Sequence, residues 1–273
     1  MGMRDRVLKS VSFLKGKGIE RVDVGIILGS GLGGEVRGAE IILSYSDIPG
    51  FPVSTVEGHK GELLFLKRKE KKILIFSGRF HYYEGYDISE VVYPVRVLGL
   101  LGGRLLIVTN AAGGVSDKVK QGDIVLIEDH IHLIPANPLR GEVGLEFGER
   151  FIPMVNAYDK NLREFALEFA TKKGLSLKCG VYLSLQGPSF ETLAEYKMVK
   201  ILGADMVGMS TTPEVIAARQ MNIKVLGFSV ITNEGKPGLA ERTDHKEVIK
   251  VAREKGKILL DFILELLDEI DLQ

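Results

Sequence analysis

A chain of 273 residues, 45% of them hydrophobic, can bury a sizeable core, and no Pro/Ser-rich linker or charge block divides it, so one domain is expected over residues 1–273. Lys+Arg and Asp+Glu both number 36, which gives the whole-chain field no bias toward nucleic acid or an anionic membrane and makes any anion site a local one. The single cysteine, Cys179, excludes an internal disulfide or a CxxC pair and fits a reducing, cytoplasmic compartment.

Residues 1–15 (MGMRDRVLKSVSFLK) scatter charges through the apolar positions, which predicts an amphipathic first helix rather than a signal peptide. Arg6 stands where a myristoylation motif needs Ser or Thr. No membrane span is expected, because Arg96 and Arg104 interrupt the most hydrophobic region. The continuous apolar run 22–28 reads as a strand buried on both faces and ends in GSGLGG, residues 29–34. Taken literally this is a dinucleotide fingerprint. The next strand-like run, 41–45, follows too soon for a crossover helix and carries no closing acidic residue, so a glycine loop aiming Ser30 at a phosphate-like anion fits better.

Residues 63–77 predict a hairpin around a solvated basic turn, 67–72. GRFHYYEGY, 78–86, follows directly; Arg79 and His81 lie two apart, on one face of an extended segment, where they could clamp an oxyanion. A helix is expected over 88–99 despite Pro94, then a buried strand, 105–109, ending in a small-residue turn, NAAGG. The strand 124–129 runs into DHIHL, where His130 and His132 share a face; a metal pair lacks a third soft ligand here. A Gly/Pro-punctuated loop, 135–155, and a helix, 158–173, lead on to the strand 181–185. Its turn GPSFET, 187–192, opens a helix with Thr192 and Glu195 as a capping box. The strand 204–209 ends in MSTTPE and opens another helix, with Pro213 in its first turn and Thr211/Glu214 as a second box. Free N–H groups at two such helix starts suit an anion in the crevice beyond the strand ends. The last strand, 223–232, ends at Asn233, and a final helix is capped by Asp244 with His245 in its first turn. The expected fold is α/β, a twisted mixed central sheet flanked by helices.

In order along the chain, GSGLG (29–33), GRFHYYEGY (78–86), TNAAGG (109–114), NPLRG (137–141), GPSFET (187–192), GADMVGMSTTPEV (203–215) and ITN (231–233) together resemble the trimeric purine nucleoside phosphorylases. The resemblance covers nearly the whole chain. It implies a phosphorylase/hydrolase-like fold and phosphate-dependent cleavage of purine nucleosides to free base and α-ribose 1-phosphate, with no metal and no organic cofactor. Carried over, Ser30, Arg79, His81, the backbone N–H of Ala111 and Ser210 would hold phosphate, with His59 over that pocket. Tyr83, Met209 and His245 would line the ribose. Phe190 and Glu191 would face the purine, with Asn233 at N7. Phe151 would reach a neighbouring subunit's ribose site, implying a homotrimer. The sister family acting on methylthioadenosine lacks the glutamate and has an acidic residue at the asparagine position, so Glu191 and Asn233 together imply inosine, guanosine and their 2′-deoxy forms. The alternatives are methylthioadenosine phosphorylase and a nucleoside-binding protein that has lost the chemistry. Glu234 departs from the vertebrate-type pattern, which has lysine after ITN.

Overall fold

The computed structural model describes residues 2–33, 36–53, 60–236, 238–240 and 244–272, without the His245 side chain. The first helix, α1 (Met3–Gly16), leads to β1 (Val24–Leu28), which is buried along its whole length. β1 lies between two parallel neighbours, β4 (Lys71–Ser77) and β5 (Leu105–Gly114), so no position along it is left for a polar side chain. β2 (Ile41–Ser44) and β3 (Glu62–Arg68) continue the sheet beyond β4 in antiparallel pairing.

On the far side the strands close on themselves. β5 pairs in parallel with β9 (Lys224–Glu234), β9 antiparallel with β6 (Ile124–His132), and β6 in parallel with β7 (Leu177–Ser184). β7 pairs in parallel with β8 (Met206–Gly208), which returns antiparallel to β5. The sheet is therefore mixed, as expected, with β5 as its hinge. Its edge runs with β1 as far as Val108 and meets β8 only at Gly113. Where β1 and β8 part, a crevice opens, and among the described residues no strand pairs with that edge between Thr109 and Ala112.

Helices cover both faces. α1, α3 (Tyr93–Leu100) and α7 (Thr212–Gln220) pack in succession on one core. α5 (Lys160–Lys173) and α8 (His245–Glu269) bury Leu162, Leu259, Phe262 and Ile263 against the other. Each such side chain contributes about 1.5–3 kcal/mol of transfer free energy. The remaining helices are short: α2 (Ile88–Val91), α4 (Gly141–Leu145) inside the long loop, and α6 (Leu193–Ile201). None of the described helices is long and apolar enough to cross a membrane.

Several local expectations change. NAAGG is not a turn but the end of β5, paired with β9 through Gly114. Its small residues serve close packing: a Cβ on Gly113 would stand 3.1 Å from Asn233 Nδ2, and one on Gly114 3.1 Å from Ile231 and Val119. The helix expected over 88–99 is two helices broken at Val92, since Pro94 supplies no N–H to an unbroken ladder. The basic turn is shorter than read, because β3 and β4 pair out to Arg68 and Lys71. Nor is it simply solvated. Arg68 binds Asp268 through two hydrogen bonds of 2.7 Å, and Lys69 reaches the Asp268 carbonyl, placing cations at the C-terminal end of α8, where the helix dipole favours them.

Candidate active site

The carboxyl ends of β1, β4, β5, β8 and β9 and the turn after β7 surround one cavity of about 400 Å³. Ser30, Arg79, His81, Tyr83 and Ala111 line it, and so do Phe190, Glu191, Met209, Ser210 and Asn233. The crevice made by the parting of β1 and β8 thus gathers residues from six separated stretches. Of the other expected residues, His59 lies outside the described residues. His245 begins α8, its side chain likewise outside them. Phe151 stands apart and 88% exposed, beside His130, His132 and Arg150 at a second cavity.

Part of the main cavity wall is built from donors. Arg79 is 1% exposed; its Nε donates to Glu214 Oε1 at 3.1 Å and its Nη1 to Ser210 Oγ at 3.0 Å. Ser210 and Thr211 reach it through an unusual turn. Thr211 has φ 70° and ψ −53°, and Thr212 N donates to the Ser210 carbonyl at 2.8 Å, a γ-turn in a backbone region that costs a β-branched residue about 1–3 kcal/mol. The expected Thr211/Glu214 capping box is therefore absent. Thr211 instead accepts from Asn110 Nδ2 at 2.9 Å, and Glu214 turns inward to pair with Arg79. The GPSFET turn does carry its box: Thr192 Oγ1 accepts from Glu195 N and Glu195 from Thr192 N.

Beside Arg79, Glu84 Oε1 accepts from the His81 backbone N–H at 2.8 Å and lies 2.9 Å from His81 Nδ1. A carboxylate only accepts, so Nδ1 carries the hydrogen and Nε2 a lone pair. Burial, aided by the Arg79 charge and opposed by Glu84, holds the imidazole below its usual pKa, so it is neutral at pH 7. The ring stacks on Tyr83 at 4.6 Å, and burial raises the Tyr83 phenol to about 12. Gly187 completes this wall: its φ is 70°, and a Cβ there would overlap the Met209 sulfur.

The same cavity is also lined by a carboxylate and an amide. Burial raises the Glu191 carboxyl above the ordinary range, and Asn233 Oδ1 accepts from Thr232 Oγ1 at 3.2 Å. Phe190 and Val207 supply apolar surface to the same cavity.

The phosphorylase superfamily model matches residues 23–268. Purine nucleoside phosphorylase 1 of Geobacillus stearothermophilus is 45% identical over 263 residues, 95% of this chain and 94% of that one. The Schistosoma mansoni purine nucleoside phosphorylase solved with adenosine superposes with a TM-score of 0.91 at 36% identity, covering 98% of both chains. The same protein solved with inosine gives 0.89 at 36% identity, covering 98% of this chain and 97% of that one. The chain belongs to the phosphorylase superfamily, among the purine nucleoside phosphorylases.

Several residues of this phosphorylase site escaped the sequence reading. Asn110 and Thr232 lie inside the quoted motifs TNAAGG and ITN, yet only their neighbours were singled out. Glu84, three residues after His81, could have been found as a carboxylate within reach of the imidazole. Glu214 matches a helix cap by spacing alone, and Tyr196, whose hydroxyl accepts from Asn233 Nδ2 at 3.4 Å behind the cavity wall, carries no motif signal. Conversely, the His130/His132 pair is occupied elsewhere. His130 Nδ1 meets Tyr158 Oη at 3.1 Å, and His132 donates from Nε2 to the Ala136 carbonyl at 2.8 Å while Nδ1 meets Thr212 Oγ1. Among the described residues no cluster of three or more His, Cys, Asp or Glu is arranged to hold a metal. Glu234 turns away from the main cavity to Lys236 and the Gln121 backbone.

Proposed function

We propose that the chain catalyses the reversible, phosphate-dependent cleavage of the N-glycosidic bond of 6-oxopurine ribo- and deoxyribonucleosides, inosine and guanosine among them, in purine salvage. The observation that carries this is a single cavity lined both by the donors Arg79 and Ser210 and by the base-type pair Glu191 and Asn233. Bond breaking leaves positive charge on the ribose and negative charge on the purine, and the two sets of residues stabilise both. Phosphate held by Ser30, Arg79, Ser210 and the Ala111 N–H lies beneath C1′ and offsets the first; His81 Nε2 accepts from a protonated phosphate oxygen. Asn233 donates to N7 as it becomes basic, and Glu191 accepts from N1–H of the 6-oxopurine. Tyr83, Met209 and His245 hold the ribose while Phe190 faces the base. Phosphate attacks C1′ opposite the base, so the configuration inverts, the glycosidic electron pair leaves with the purine, and no side chain becomes a nucleophile. The reaction so written requires neither a metal nor an organic cofactor, and a cytoplasmic location fits its substrates.

Hypoxanthine release from inosine, followed with and without phosphate beside adenosine and methylthioadenosine, tests the proposal. Rapid, phosphate-dependent release from inosine is expected. Release without phosphate would make the chain a hydrolase, and turnover of methylthioadenosine alone would mean that Glu191 does not select the base. Tight nucleoside binding without turnover would leave a binding protein. Because the schistosome relative has been solved with adenosine as well as inosine, turnover rather than binding is the discriminating quantity.

The homotrimer belongs to the same proposal. Phe151 and Val155 are 88% and 84% exposed, which is costly for large apolar side chains unless a second copy covers them. Light scattering is expected to give a trimer, and Phe151→Ala to raise KM for inosine while sparing that for phosphate. A monomeric mass, or an unchanged nucleoside KM, would remove Phe151 from a neighbouring site.

A further inference from the structure

Tyr196 sits at the end of the first turn of α6 and is 4% exposed. Its ring packs with Val115, Leu183, Val199 and Val207, and Gly235 lies so close against it that a Cβ at 235 would overlap the ring. The ring is thus clamped between α6 and the segment following β9. Its hydroxyl lies between the two base-type residues: Asn233 Nδ2 donates to it over 3.4 Å, and it interacts with the Glu191 carboxylate.

The hydrogen inventory fixes the direction of this chain. An ionised carboxylate only accepts, so the one hydroxyl hydrogen goes to Glu191 and the oxygen accepts from Asn233. Asn233 must then turn its NH₂ toward Tyr196 and its Oδ1 toward the Thr232 hydroxyl, 3.2 Å away. The opposite flip would set the amide carbonyl against an oxygen whose hydrogen is already committed. In the favoured orientation one N–H of Asn233 is used by Tyr196 and the second remains for a base.

We propose that Tyr196 is a positioning residue for base recognition, its hydroxyl joining Glu191 to Asn233 so that the contacts at N1 and N7 of a 6-oxopurine are set as one unit. The inference rests on the phosphorylase reading above. Phenylalanine at 196 would keep the clamped ring yet leave the Asn233 amide able to adopt either orientation, and half of those present an acceptor to N7.

Tyr196→Phe is therefore expected to keep the wild-type Tm and to lower kcat for inosine about tenfold, the scale of one hydrogen bond made stronger in the transition state. KM should change little, because N7 becomes basic only as the bond breaks. The pH profile supplies a second readout. Glu191 must be ionised to accept N1–H; burial raises its carboxyl, Glu195 adds to the rise, and the Tyr196 hydroxyl opposes it. Without that hydroxyl the carboxyl rises further, so the acid limb of kcat/KM should move to higher pH. In an Asn233→Ala background, Tyr196→Phe should cost far less kcat than in the wild type. Unchanged kcat and acid limb, or equal kcat losses in the two backgrounds, overturn the inference. A wild-type chain without inosine turnover overturns the phosphorylase reading itself, and the inference with it.

Discussion

Arg79→Ala is expected to lower phosphate-dependent turnover by about 1,000-fold, the upper end for loss of one preorganised donor, and to destabilise the fold by about 3–5 kcal/mol. Both effects come from one position. Arg79 is buried against Glu214, whose carboxylate is 1% exposed and whose Oε2 has no hydrogen-bond partner among the described residues. Removing the guanidinium strands that charge in a site with little water to solvate it. The same guanidinium donates to the Ser210 and Thr211 hydroxyls, so its loss also removes two of the contacts that hold the strained γ-turn. The two consequences separate in a double variant. Arg79→Ala with Glu214→Leu removes the stranded Glu214 charge together with its partner and should recover most of the Tm while staying inactive. Arg79→Lys keeps the charge but replaces the planar fork, whose Nε and Nη1 serve Glu214 and Ser210 separately, with a single nitrogen, and should raise KM for phosphate. An Arg79→Ala protein with wild-type KM for phosphate would take Arg79 out of the phosphate site.

Asn233→Ala should lower kcat for inosine by about 100- to 1,000-fold with little change in Tm, since Asn233 is half-buried at the cavity wall and, in the proposed mechanism, its amide would meet the charge that develops on the purine. Asn233→Asp is the more informative change. An aspartate cannot donate to N7 while ionised, but it can accept from a 6-amino group, so preference should move toward adenosine. The ratio of kcat/KM for inosine and adenosine measures this; an unchanged ratio would mean that the residue does not read the base.

The fold class and most elements were legible because they depend on local pattern. The run VDVGIIL, short and followed at once by glycines, reads as a buried strand, and the periodic apolar positions of residues 248–266 read as a core-facing helix. Thr192 and Glu195 capped α6 as read, since both partners lie within one turn. Most of the ordered motifs also placed the cavity wall, because GSGLG, GRFHYYEGY and GPSFET follow strands while TNAAGG and ITN lie in the last residues of β5 and β9. What the residues alone misassigned were groups with a stronger distant partner. Thr211 and Glu214 match a capping box in spacing, yet Arg79, 135 positions before Glu214, draws both toward the cavity. NAAGG has turn composition, yet β9 lies alongside and extends it as strand. The basic hairpin tip found Asp268, 200 positions away.

By itself, then, the sequence determined the order of strands and helices, the family, and the residue types available for phosphate and purine, all carried by short stretches of chain. The tertiary structure alone decided how they act together. The parting of β1 and β8 along β5 makes the cavity, Glu214 neutralises the guanidinium that faces it, and Tyr196 joins Glu191 to Asn233. Arg79 and Glu214 are 135 positions apart and Asn233 and Tyr196 37, and both pairs meet where water is largely excluded, so charge pairing and hydrogen-bond satisfaction there outweigh local propensity.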